Sequence, residues 1–344
     1  MSNSYKSKGP RALSRFSLLG RGAEWDANAQ ATPPVLGGAI LAGQSTAVFA
    51  APGVGKTLLL LHLIIEAVQA GRLDSSHTFY VNADDGARGI ADKLLLLDEL
   101  GVHTLVPGFE GFRTAHLAES LASMVAQNEC AGALVVIDTL KKFVDLMDKK
   151  VAAAFANLVR QFVLRGGTLI GLAHTRKNAG PTGQLVYGGT TDIVEDFDAA
   201  CLLVPRPSRS RRGEKLVQFE FFKRRGANAD EAYAYADEPG LSYSERLASV
   251  RPVDAHEFDK YAEADNLLAD DKLISIISAC IDDGTVQKME LVRAVAKRTG
   301  VSRRSAMQVL ERYTGNDPEC HHWDYSVRER GAKVFRLLDR PLPD

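Results

Sequence analysis

Ala50-Ala51-Pro52-Gly53-Val54-Gly55-Lys56-Thr57-Leu58 decides how this chain is read. A short β-type run, Ser45–Ala50, leads into it, and a leucine-rich amphipathic stretch follows at once. Strand, glycine loop and helix in that order are the context in which G-x-x-x-x-G-K-[ST] cradles phosphates. Gly53 and Gly55 let the backbone curl so that its N–H groups face an anion, and the positive end of the following helix adds to the field. Pro52, Gly53, Val54, Gly55, Lys56, Thr57 and Leu58 are therefore the expected nucleotide cradle. Lys56 brings a mobile positive charge, and the Thr57 hydroxyl is an expected ligand of Mg2+. The first glycine of the pattern is replaced by Ala50, which fits if that position keeps a negative φ.

Around this loop, further β-type runs at residues 77–81, 133–137, 168–173, 199–204 and 217–222 alternate with helical stretches at 56–70, 86–100, 115–128 and 151–165. Strands separated by helix-length segments predict an α/β fold with a mainly parallel sheet. The run 133–137 is apolar throughout, as a strand covered on both faces must be. It ends in Asp138, whose carboxylate at the C-terminal edge of the sheet is placed to hold Mg2+ through water, with a helix cap as the alternative. The run 77–81 continues into Asn82-Ala83-Asp84-Asp85. Asp84 is the first choice for a general base that orients water, with Asp85 second; capping of the helix near Gly86 would explain both without catalysis.

The sequence of 344 residues has a net charge of −1, so any nucleic-acid surface must be local rather than global. Four cysteines stand far apart with no CxxC pair, which speaks against a disulfide framework or zinc knuckle and fits a reducing cytoplasm. The longest apolar runs are too short to cross a bilayer, and the basic N-terminus lacks the apolar stretch of a signal peptide. A cytoplasmic protein is expected. Residues 1–35 read as an arm, 36–242 as the α/β core, 243–270 as an acidic linker or exposed helix, and 271–344 as a second compact unit.

The order of motifs (the phosphate loop, VNADDG, VVIDTL, GLAHTRKN and FFKRRG) resembles the RecA-type core of hexameric helicases, nearest the DnaB and plasmid RepA helicase branch, over roughly residues 36 to 240. The resemblance implies ATP as substrate, a RecA-like P-loop core and a homo-oligomeric, hexameric ring. It implies that His174, at the end of the run 168–173, senses the γ-phosphate. It further implies that a basic pair after the run 217–222 reaches across a subunit interface into the neighbour's site; Lys223 and Arg225 would project on the same side of an extended strand and are the expected pair, with Arg224 the alternative if the strand ends early. Channel loops contacting single-stranded DNA would then fall at 141–150 and 176–189, with Arg176 and Lys177 as candidate contacts. The short arm resembles the plasmid type, and such an arm could pack on the adjacent subunit.

In the C-terminal unit, helical stretches at 273–282, 288–299 and 302–313 precede two β-type runs at 323–327 and 333–338. Gly300 can end one helix and Ser302 cap the next, giving a helix-turn-helix core, and the β-runs suggest the hairpin of a winged helix. Arg303 and Arg304 open the second helix, where groove-reading residues often lie, so duplex DNA is one expected partner and a docking protein the other. The functional expectation is an ATP-hydrolysing, ring-forming single-stranded DNA translocase or helicase. The alternative is an ATP-switched DNA-binding regulator or helicase loader.

Overall fold

The computed structural model describes residues 11–30, 32–143, 149–175, 195–206, 213–317, 321–328 and 332–338. The chain divides into two compact units, one comprising residues 1–206 and 215–253, the other residues 207–214 and 254–344.

The first unit is built on a nine-stranded sheet. After helices α1 (Arg11–Ser14) and α2 (Gly22–Gln30), a small antiparallel pair, β1 (Pro34–Leu36) and β2 (Ile40–Leu41), precedes the sheet's central strand β3 (Ser45–Ala50). Helix α3 (Lys56–Gln69), strand β4 (Thr78–Asn82), α4 (Ala87–Asp98), β5 (His103–Leu105), α5 (Thr114–Gln127), β6 (Leu134–Asp138), α6 (Lys149–Val163) and β7 (Thr168–His174) follow in the alternation expected of βαβ units. Strands β8 (Ala199–Arg206), β9 (Glu214–Lys223) and β10 (Ala232–Ala236), helix α7 (Tyr243–Ala248) and β11 (Arg251–Val253) complete it. The strand order is β11-β10-β9-β8-β3-β7-β6-β4-β5. From β8 to β5 every neighbouring pair is parallel, and β9 joins β8 antiparallel. The fold is α/β with a mostly parallel sheet, in keeping with a RecA-like P-loop core.

Why these runs become buried strands follows from which face each residue meets. Leu134 and Val136 pack with α3 residues Leu59, Leu63 and Ile64 on one face of the sheet. Val135 and Ile137 pack with Leu121 of α5 and Phe162 of α6 on the other. A strand covered on both sides has no use for alternation, and β6 is buried at all five positions. Each fully buried leucine or isoleucine contributes about 1.5–3 kcal/mol relative to exposure. The register then sets the ends of the strands level: Ala50 pairs with His174, Asp138 with Leu172, and Asn82 with Asp138. The carboxyl ends of β3, β4, β6 and β7 thus form one rim.

The second unit contains α8 (Ala255–Asp282), α9 (Lys288–Thr299), α10 (Arg303–Arg312) and the antiparallel pair β12 (Trp323–Val327) and β13 (Lys333–Leu337). Gly300 closes α9 at φ +76°, and the Ser302 hydroxyl caps α10 by accepting from the Ser305 amide. Ile277, Leu291, Val295, Leu310, Trp323 and Phe335 meet in a common core. The Trp323 indole donates to the Leu310 carbonyl at 2.8 Å, joining hairpin to helix. The acidic stretch 243–270 holds α7, β11 and the first part of α8, and the division between the units falls between Val253 and Asp254. Among the described residues no helix is long and apolar enough to cross a membrane.

Candidate functional site: a phosphate loop on the rim of the sheet

Strand β3 ends at Ala50, and only five residues separate it from the next helix, which begins at Lys56. Ala50 is a buried strand residue bonded in register to both neighbours, so the glycine it replaces is not required there. Gly55, the residue capping α3, has φ +91°, and its missing Cβ matters twice over. A methyl group there would be strained by the backbone, and it would fall 2.6 Å from the Tyr235 hydroxyl. That hydroxyl donates to the Val54 carbonyl at 3.1 Å, while the Lys215 ammonium donates to the Gly53 carbonyl at 2.8 Å. Strands β9 and β10 therefore hold the loop by its outward carbonyls. Amides rather than carbonyls are what a phosphate requires.

Below the loop, Asp138 collects three side-chain donors. Lys56 Nζ lies 2.9 Å from Oδ1, Thr57 Oγ1 donates to Oδ2 at 2.7 Å, and the Tyr80 hydroxyl donates to Oδ2 at 2.9 Å. Lys56 and Asp138 are 7% and 2% exposed, so this is a desolvated ion pair. Burial pulls the Asp138 carboxyl upward. The Lys56 charge and the three hydrogen bonds outweigh it and hold the group below the usual aspartate value. The Tyr80 phenol is pushed well above its ordinary range, by burial first and the Asp138 charge second. Lys56, Thr57 and Asp138 are thus brought together. A hydroxyl and a carboxylate side by side are oxygen donors of the kind that suits a hard divalent cation retaining some water. Among the described residues no group of three or more His, Cys, Asp or Glu forms a metal cage.

The two carboxylates after β4 have different surroundings. Asp85 accepts from Asn82 Nδ2 at 2.9 Å and from the buried Lys93 ammonium, so it is tied into the sheet edge. Asp84 instead meets His174, whose Nε2 lies 3.1 Å from Oδ2. The cap of α4 is Gly86, with no side-chain capping bond, so neither carboxylate is needed as a cap. His174 closes β7 beside Ala50, and its buried Nδ1 has no hydrogen-bond partner among the described residues. Asp84 and His174 therefore share the rim with the phosphate loop, and Asp85 serves the scaffold.

Lys223 and Arg225 lie elsewhere. Strand β9 runs antiparallel to β8, so it starts near the loop at Lys215 and ends, at Lys223, opposite Ala200. Lys223 donates to the Glu195 carbonyl, and Arg225 NH1 lies 3.2 Å from Asp198 Oδ1. Burial and the Arg225 charge lower the Lys223 ammonium below its usual value. Asp198 in turn accepts from the Ser45 amide, at the start of β3. Alternation along a strand does not explain the pairing, because β9 stops at Lys223. The segment 195–198 gathers the two cations, whereas Arg224 turns away to Asp230 and the Phe221 ring.

The whole of the expected channel loop at 176–189, Arg176 and Lys177 included, lies outside the described residues, as does part of 141–150. Lys141 and Lys142 are exposed just after β6. Arg303 and Arg304 are exposed on the first turn of α10.

Sequence reading passed over Tyr80, Lys93, Lys215 and Tyr235. The signal available for Tyr80 was a lone hydroxyl on a strand otherwise apolar at its centre. Lys215 and Tyr235 gave none, since their partners lie 162 and 181 residues away.

No curated protein matches the chain. Residues 15–180 match the family described as the AAA domain, a stretch that takes in the phosphate loop, Asp84, Asp138 and His174, and over it the chain is similar to a nucleotide-binding P-loop family.

Proposed function

We propose that this chain hydrolyses ATP and works as a ring-forming, hexameric translocase or helicase on single-stranded DNA. In this reading the loop amides and Lys56 seat the β- and γ-phosphates. Thr57 and, through water, Asp138 would hold Mg2+, which would supply charge that neutralises the phosphate oxygens. Asp84 orients the attacking water and accepts its proton, and His174, with Nε2 on Asp84, sits where a γ-phosphate would be sensed.

The observation that carries the ring is the location of the basic pair. Lys223 and Arg225 cluster at the amino end of β3, away from their own loop, so a phosphate that they meet must belong to another subunit. Charge supplied in this way makes hydrolysis depend on assembly. The arm adds support: Leu13, Phe16, Leu19 and Trp25 are exposed large apolar side chains, suited to packing on an adjacent copy.

The test is an ATPase titration with and without single-stranded DNA, repeated with Arg225→Ala mixed into wild type. Stimulation by DNA, and inhibition of the mixture beyond simple dilution, are expected. Activity that falls in proportion to the wild-type fraction would remove the shared site.

A second reading draws on the C-terminal unit. The turn between α9 and α10, the exposed Arg303 and Arg304 and the β12–β13 pair support a winged helix on duplex DNA or on a protein, with ATP acting as a switch. Footprinting on random duplexes separates the two: a site-specific regulator protects one sequence, a translocase none.

A further inference from the structure

We propose that Tyr80 is a positioning residue for metal capture: it holds Asp138 on the rim once Lys56 and Thr57 turn to a bound nucleotide. The proposal rests on the nucleotide-site reading above and assigns a role to a side chain that no motif marks.

Of the three donors on Asp138, two have a second task. Lys56 and Thr57 open α3 at the mouth of the loop, and the ammonium and hydroxyl that now bond Asp138 are the groups a phosphate and its metal require. When they engage, Oδ1 loses its partner and Oδ2 loses one of two. Tyr80 has no such alternative. It stands on β4 opposite Val136, is 0% exposed, and is packed among Leu134, Val136 and the leucines of α3. Its phenol cannot swing to solvent, and any rotation would bury an O–H without an acceptor. The bond from Tyr80 to Oδ2 therefore persists while the others exchange. It fixes the carboxylate's rotamer and leaves Oδ1 directed at the loop. Partners of this kind, which orient a metal-holding group without touching the metal, typically change affinity about 10–100-fold when removed.

Tyr80→Phe keeps the ring and deletes the hydroxyl. The readout is Mn2+ binding by electron paramagnetic resonance, on the full chain saturated with a non-hydrolysable ATP analogue. About a tenfold loss of Mn2+ affinity is expected, with nucleotide binding in EDTA unchanged and with activity regained at high Mg2+. A merely structural role would lower the melting temperature and leave Mn2+ affinity alone; that result overturns the proposal. Asp138→Ala serves as the control. If it binds Mn2+ as wild type does, the site reading itself fails and the proposal with it. Should Tyr80→Phe not fold, 3-fluorotyrosine at position 80 preserves the bond, and its 19F resonance is expected to shift when Mg2+ joins the nucleotide complex. An unmoved resonance overturns the proposal.

Discussion

Lys56 and Lys223 occupy opposite ends of one sheet. Lys56 follows the carboxyl end of β3, whereas Lys223 faces Glu195, and its companion Arg225 faces Asp198, which bonds the Ser45 amide at the amino end of that strand. Five strand steps separate Ser45 from Ala50, roughly 17 Å at about 3.3–3.4 Å per residue. An arginine side chain does not bridge that gap, so the basic pair cannot serve its own loop. Arg225→Ala is accordingly expected to lower kcat for ATP by about 10^3-fold, the scale of a lost arginine finger, with little change in nucleotide affinity. Steady-state ATPase assays and nucleotide titration check both halves; a variant that binds nucleotide poorly but turns over normally contradicts the assignment.

Two loop glycines differ in what they tolerate. Gly53 has φ +76° with open space where a Cβ would stand, whereas Gly55 has φ +91° and the Tyr235 ring against it. Gly53→Ala should cost about 1–2 kcal/mol, the left-handed backbone term alone. Gly55→Ala should cost clearly more and displace Tyr235 from Val54. Urea denaturation of the two variants measures the difference, and equal midpoints would show that the Tyr235 contact imposes nothing.

The clamp on the outward carbonyls has its own signature. Tyr235→Phe removes one buried hydrogen bond to Val54, worth about 0.5–1.5 kcal/mol. Lys215→Ala frees the more exposed Gly53 carbonyl and is expected to change stability little, yet to weaken nucleotide binding by loosening the loop. Denaturation and fluorescent-nucleotide titration on the same preparations separate the two effects.

Acid should act through Asp138. Its folded carboxyl lies below the ordinary value of 3.8, so its contribution is fully present above that value and is lost as pH falls through the folded one. Asp138→Asn leaves the buried Lys56 ammonium without its counter-charge and is expected to cost about 3–5 kcal/mol at neutral pH. The gap between the urea midpoints of wild type and variant should stay level from neutral pH down to about the ordinary aspartate value and close below it. A gap that widens in acid would mean that the pair opposes folding.

What could be read from residues alone was whatever a local pattern dictates. The strand Ser45–Ala50, the helix opening at Lys56 and the carboxylate ending β6 follow from apolar runs broken by glycine or aspartate. The hairpin β12–β13 followed in the same way from β-type runs around a polar turn. Elements without such a pattern escaped: β10 is Ala-Tyr-Ala-Tyr-Ala, and β1, β2, β5 and β11 have three residues or fewer. The roles of Tyr80, Lys215 and Tyr235 depend on strand order, which brings distant segments to the loop. The different surroundings of Asp84 and Asp85 depend on Lys93 and His174, one on a helix and one on another strand. The sequence could rank Asp84 before Asp85 as a base, but it could not show the partner that each one meets.

The most direct measurement is calorimetric titration of a non-hydrolysable ATP analogue, with Mg2+, into wild type and Lys56→Ala. One nucleotide bound per chain is expected for wild type, with binding weakened at least about 100-fold in the variant, as loss of a charge-assisted phosphate contact of about 3 kcal/mol implies. Equal binding by the two proteins, or none by wild type, would contradict a nucleotide seated between Gly53 and Asp138.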